Sequence, residues 1–187
     1  YAIGDIHGQL GLLQAAHALI AADMARHGAG PVIHVGDLVD RGPDCRGVID
    51  YLMQGIDEGR DWVVLKGNHD RMFARFLRNP DEPEPGLRAD LGYLNPKIGG
   101  AATLASYGVK GAADRPIPKV HAEAVVAVPH SHRQFLESRP TLHLAGKCAF
   151  VHAGIRPGVA MEDQTETDLV WIREPFLSTP DSHGPLI

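Results

Sequence analysis

The chain has 187 residues, 44% hydrophobic and 22% charged, the balance expected of a single soluble domain with a sizeable core. Eighteen basic against 23 acidic residues leave a net charge of −5, which argues against a basic face for non-specific nucleic-acid binding. Two cysteines, Cys45 and Cys148, are too few for a disulfide framework and fit a reducing, cytoplasmic setting; no apolar run approaches the ~18 residues of a membrane span, and no signal-peptide pattern opens the chain.

Tyr1-Ala2-Ile3 reads as a strand ending at Gly4-Asp5, so the natural start is expected to lie upstream of Tyr1. Leu12, Leu13, Ala16, Leu19 and Ile20 then share one helix face, stopped by Gly28 and Gly30. Val32–Val35 is a second strand ending at Gly36-Asp37; Val48, Ile49, Leu52 and Ile56 mark a second amphipathic helix. Trp62–Leu65 is a third strand ending at Gly67-Asn68-His69-Asp70, followed by a helix from about Arg71 to Arg78. This β-α-β-α-β-α order predicts an α/β fold with a parallel sheet, whose ligands bind beyond the carboxyl ends of the strands. Topology alone therefore brings three polar clusters to one edge. Residues 79–140 read as an insert: a loop rich in proline and glycine from Asn79 to Gly100, then helices over Ala101–Tyr107 and Val120–Arg139, the latter broken near Pro129. Strands follow near Thr141–Leu144 and Cys148–Val151, the second ending at His152-Ala153-Gly154, and Pro185–Ile187 reads as the start of another. Of the 11 histidines, His17 and His27 are expected to be solvated or capping on the first helix, and His34 to be packed beside the site.

In Gly4-Asp5-Ile6-His7-Gly8, a carboxylate and an imidazole two residues apart point the same way in extended chain, so both can face one metal ion; the alternative is a solvated turn. Gly36-Asp37-Leu38-Val39-Asp40-Arg41-Gly42 repeats the pattern. Asp37 has two oxygens with which to bridge ions, and Arg41 offers a planar fork suited to phosphate, unless Asp40 and Arg41 merely pair at the surface. Gly67-Asn68-His69-Asp70 adds an amide oxygen and a second imidazole, or else a helix start capped by Asn68. His152 is a further ligand candidate or a structural residue. Together, oxygen ligands mixed with imidazoles suit manganese, iron or zinc, and two such ions about 3.5–4 Å apart can clamp an in-line displacement at phosphorus. Such ions would supply locally the positive charge that the chain as a whole lacks.

The motifs GDIHG, GDLVDRG, GNHD and HAG, in that order, resemble the metallophosphoesterase superfamily, and within it the phosphoprotein phosphatases of bacterial and phage lambda type, over Tyr1 to about Arg173. The resemblance implies a calcineurin-like fold, a central β-sandwich flanked by helices in four layers, and a phosphoprotein serine/threonine phosphatase with two divalent ions, Mn²⁺ foremost. It implies that Asp5, His7 and Asp37 hold the first ion, that Asp37, Asn68 and His152 hold the second, and that a hydroxide between them attacks phosphorus. His69 would protonate the leaving oxygen, oriented by Asp40. Arg41 would hold the phosphate, joined by Arg173 in Leu169-Val170-Trp171-Ile172-Arg173-Glu174, unless Arg173 pairs with Glu174. The substrate implied is a phosphoprotein or phosphopeptide, with no nucleic acid and no membrane.

Two departures stand out. Asp70 replaces the family's usual glutamate. A further histidine ligand, expected after a later strand, lies beyond Ile187, and His183 is poorly placed to replace it. The chain therefore reads as a single catalytic domain shortened at its C-terminal end, with a weak second ion site. The nearest rival activity is hydrolysis of symmetrical dinucleoside tetraphosphates, whose enzymes typically carry alanine in place of Asp40; a nuclease fits the acidic balance less well. A rival of another class is a metal-binding regulatory domain without turnover, against which His69, Asp40 and Arg41 speak together.

Overall fold

The computed structural model describes residues 1–179. Three short strands, β1 (Ala2–Ile3), β2 (Val32–His34) and β3 (Trp62–Val64), form a parallel sheet in the order β1-β2-β3, with Ala2 opposite Ile33 and Val32 opposite Trp62. The crossovers are α1 (Leu10–His27) and α2 (Cys45–Asp57), and α3 (Asn68–Arg78) leaves β3. Because side chains alternate along a strand, the sheet divides its residues. His34 and Val64 face the helices; Ile33, Val63 and Leu65 face Phe150 of a second, antiparallel pair, β4 (Leu142–Ala145) and β5 (Cys148–Val151). Helices, parallel sheet and hairpin are thus stacked as layers, and among the described residues this is the extent of the expected sandwich. No helix among them is long and apolar enough to cross a membrane.

The helix α2 lays Val48, Ile49 and Leu52 fully into the core and is capped by Asp44, whose carboxylate accepts from Gly47 N at 2.8 Å. The insert comprises α4 (Gly100–Ser106), α5 (Ile117–Ala127) and α6 (His130–Ser138), broken at Val128-Pro129 as the sequence suggests. It packs Leu104, Val120, Ala124 and Leu136 onto α2 and α3. Its loop is tied down through Glu84, which accepts from Arg71 and from Trp171 Nε1 at the end of α7 (Glu166–Trp171), a short helix that the sequence pattern did not reveal. The expected strand at Pro185–Ile187, and His183, lie outside the described residues.

Two expectations for α1 fail. Leu12 and Leu19 are 69% and 73% exposed, and the residues it buries are Leu13 and His17. Its sequence is alanine- and leucine-rich on several sides, so apolar periodicity did not single out the face that meets the sheet. His17, expected in solvent, is buried because a polar partner waits beneath it. His34 Nδ1–H donates to Val63 O at 3.0 Å, so its Nε2 accepts, and His17 Nε2–H donates to it at 2.9 Å. His17 Nδ1 then accepts from Tyr51 at 3.0 Å, and its ring stacks on Trp62. Every proton in this chain is assigned, and a further one has no place. Burial lowers both imidazoles to about 4, the neighbouring His34 and Arg60 adding to the effect at His17. The unfolded chain, with ordinary histidines near 6.5, binds more protons across this window. Stability from this pair is therefore expected to be complete above pH 6.5 and to fall as the pH drops toward 4. Urea midpoints against pH check this, and a His17→Phe variant should lose about half of that slope, because His34 stays buried.

Candidate metal centre

The polar clusters converge because backbone ties the loops together. Ile6 N and His7 N both donate to Asp37 O, at 3.0 and 2.8 Å, and Gly8 N donates to Leu38 O at 2.9 Å. The second and third loops touch through two glycines: a Cβ on Gly36 would lie 2.3 Å from Gly67 N, and one on Gly67 would lie 2.2 Å from Asp37 Oδ1. Asp70, in the first turn of α3, clamps the same loops, accepting from Leu38 N at 2.9 Å and from Gly67 N at 2.8 Å. This gives the departure at Asp70 a structural role. Burial, with Asp37 beside it, pushes its carboxyl up to about 7 against the pull of those two N–H groups. The fourth cluster is oriented by His152 Nδ1–H donating to Val35 O at 2.9 Å.

His7, Asp37, Asp40 and Arg41 are the non-glycine residues with positive φ among the described residues, at 42°, 53°, 71° and 67°. Each such conformation costs on the order of 1–3 kcal/mol, and such residues gather at functional sites. All four lie in the loops that carry the candidate ligands.

Asp37 sits at the centre, with Oδ2 3.6 Å from His7 Nε2 and Oδ1 3.4 Å from His152 Nε2; Asp5 Oδ2 is 3.8 Å from His7 Nε2. One group that can hold an ion is Asp5, Asp37 and His152, and another is His7, Asp37 and His69. The donor atoms themselves call for cations. His152 Nδ1–H is committed to Val35 O, so Nε2 presents a lone pair, yet 2.8 Å away it meets Asn68 Oδ1, another acceptor, with Asp37 Oδ1 close by. Likewise His7 Nδ1–H donates to Val39 O at 2.7 Å, leaving its Nε2 lone pair toward the carboxylates. Arg41 brings a positive group to this side, donating to His7 Nε2 at 2.8 Å and to His69 Nε2 at 3.0 Å. Convergent lone pairs of oxygen and imidazole nitrogen fit divalent ions, but the two groups cut across the division expected from the sequence, joining Asp5 with His152 and His7 with His69.

Beside them, His69 Nδ1–H donates to Asp40 Oδ2 at 2.7 Å, and both side chains are almost wholly buried. Burial disfavours the His69 imidazolium, but the bond to Asp40 and the charges of Asp37 and Asp40 outweigh it even against Arg41, so its pKa is raised. Arg173, just past α7, is exposed and bonded to none of these residues; among the described residues it has no side-chain partner, and Glu174 bonds Ser178 instead. The sequence reading missed Tyr93 and Thr103, both of which bond Asp40 from within the insert. Neither carries a motif.

The model of the calcineurin-like phosphoesterase family matches residues 1–174. The chain belongs to that family. Among solved structures, this calcineurin-like phosphoesterase is similar to one described as a "putative diadenosine tetraphosphatase" (21% identity, TM-score 0.54, 90% of this chain and 56% of that one). It is also similar to a hypothetical protein from Pyrococcus horikoshii OT3 (17%, TM-score 0.50, 82% and 54%). A protein serine/threonine phosphatase from Saccharomyces cerevisiae aligns at 17% identity and TM-score 0.45, over 91% of this chain and 47% of that one. At such identities the likeness speaks for the fold alone. The chain spans about half the length of the structures that it resembles. No curated protein matches it.

Arg41→Lys is expected not to be conservative in this calcineurin-like phosphoesterase. The guanidinium reaches His7 and His69 through two separate nitrogens, and one ammonium cannot replace that fork. Loss of a charge-assisted bond predicts a fall in kcat/KM of roughly tenfold to a hundredfold, carried by kcat as well as KM. Steady-state kinetics near those of the parent would leave Arg41 a surface charge only.

Proposed function

We propose that this chain is the catalytic part of a phosphomonoesterase that removes phosphate from phosphoserine and phosphothreonine in proteins, in a reducing, cytoplasmic setting. The observation that carries this reading is the buried Asp40–His69 pair. A serine or threonine alkoxide is a poor leaving group and needs a proton as the P–O bond breaks. A nucleotide phosphate leaves without one. A buried imidazole, held by a carboxylate through Nδ1 so that Nε2 faces the site, is the group for that task. When bound, divalent ions such as Mn²⁺ supply the positive charge that neutralises the ester and make water acidic enough to react near neutral pH.

The chain's own residues do the rest. A substrate phosphate draws the Arg41 fork from the two imidazoles onto phosphoryl oxygens. His69 Nε2 is then free to carry its proton, and His7 Nε2, with Nδ1–H committed to Val39 O, would hold an ion in place of the arginine. Arg173 is exposed and without a side-chain partner among the described residues, and would be a second arginine for the phosphate. Asp40 supports this reading over the dinucleoside tetraphosphate hydrolases, which typically have alanine there. Turnover of a phosphoserine peptide and of diadenosine tetraphosphate, each with added Mn²⁺, tests it. Faster hydrolysis of the peptide is expected, and a preference for the dinucleotide would overturn the assignment.

A further inference from the structure

Asp40 is fully buried, and three donors surround its carboxylate. Oδ2 accepts from His69 Nδ1 at 2.7 Å. Oδ1 accepts from the phenol of Tyr93 at 2.7 Å and from the hydroxyl of Thr103 at 2.6 Å. Thr103 also accepts from Asp40 N at 2.8 Å, and its own proton favours the carboxylate oxygen at 2.6 Å over the weaker acceptor Cys45 Sγ at 3.4 Å. Tyr93 and Thr103 belong to the loop and the α4 helix of the insert, 53 and 63 residues away from Asp40 in sequence. The same insert fixes the next residue, since Arg41 N donates to Gly99 O at 3.2 Å. Asp40 itself is in the left-handed region at φ 71°, a conformation that its surroundings must enforce.

We infer that Tyr93 and Thr103 are positioning residues for proton delivery to the leaving group, acting through Asp40 on His69. This deepens the proposed function and rests on it. The insert then completes the acid instead of merely covering the sheet edge. Two hydroxyls hold one carboxylate oxygen, which aims the other at Nδ1 and so directs Nε2 to the leaving oxygen. Neither hydroxyl needs to touch the substrate. A buried carboxylate lacking one of these donors would turn toward the donor that remains, pulling the imidazole off line.

The experiment uses Tyr93→Phe, Thr103→Val and Thr103→Ser, each with a phosphoserine peptide and with p-nitrophenyl phosphate, whose leaving group needs little protonation. Tyr93→Phe and Thr103→Val should each lower kcat on the peptide by roughly tenfold, with KM little changed and with small loss on the nitrophenyl ester. Thr103→Ser, which keeps the donor, should restore most of the loss. Adding Tyr93→Phe to His69→Asn should cost almost nothing more, because both act through one proton. Equal losses on the two substrates, or additive losses in the double variant, would overturn the inference and leave a packing role. Should Thr103→Val fail to fold, Tyr93→Phe removes only a hydroxyl and decides alone. If His69→Asn loses turnover equally on both esters, the general-acid reading itself fails, and this inference with it. Leaving-group dependence at His69 without any at Tyr93 and Thr103 sinks only the positioning role.

Discussion

Asp37→Asn is expected to abolish turnover, by about a thousandfold or more, while leaving the metal-free fold as stable as before or more so. The two effects have one origin. The carboxylate is 4% exposed, faces His7 through Oδ2 and His152 through Oδ1, and also receives His69 N. An amide there offers one oxygen in place of two. Its nitrogen would donate to an imidazole lone pair, closing the gap that an ion needs. Yet without metal the carboxylate is a cost. It lies buried near Asp70, whose carboxyl it helps to push up, and asparagine tolerates the left-handed backbone at φ 53° well. Metal titration together with melting temperature in chelator reads both effects. Loss of activity with a lower melting temperature in chelator would point instead to misfolding. In the parent protein, chelation should remove activity and Mn²⁺ should restore it.

His69→Asn should lower kcat on a phosphoserine peptide by roughly 10²–10⁴-fold, the range for loss of a general acid, and by much less on p-nitrophenyl phosphate. The difference between the substrates is the diagnostic part. His69 also lies within reach of Asp37, with Nε2 4.0 Å from Oδ2, so a role as an ion ligand is a physical alternative. A ligand lost would cost both esters alike and would lower the metal content. A general acid lost costs mainly the ester with the poor leaving group and leaves the metal content unchanged. Asp40→Asn should follow the same pattern more weakly, because the imidazole remains but its orienting charge is gone.

The candidate site was legible in the sequence to the extent that it hangs on strand ends. Gly4-Asp5 and Gly36-Asp37 directly follow runs of apolar residues, Gly67-Asn68 follows one after Lys66, and parallel topology does the gathering. The contacts that set the chemistry were not legible. Tyr93 and Thr103 sit in a stretch with no motif, and their meeting with Asp40 depends on how the insert folds back over α2 and α3. The face of α1 was misread because Leu12 and Leu19 are as apolar as Leu13, and what decides between them is the buried His17–His34 bond, which no hydropathy pattern records. Arg173 was placed by its motif alone, and a motif does not say which way a side chain turns at the end of a short helix.

The parallel register also governs where the chain can tolerate a change of length. Ile3 pairs with His34, and His34 with Val64, so the three loops leave the sheet level with one another. One residue added within any of these strands would advance its loop by about 3.3 Å and turn the next side chain to the opposite face. Asp5, Asp37 or Asn68 would then point away from the others, and the contact between Gly36 and Gly67 leaves no slack to absorb the step. Gaps and insertions among the chain's relatives should therefore be absent from β1, β2, β3 and the turns that follow them. They should collect instead at exposed tips such as Arg88–Asp90, where the backbone can lengthen without moving a ligand.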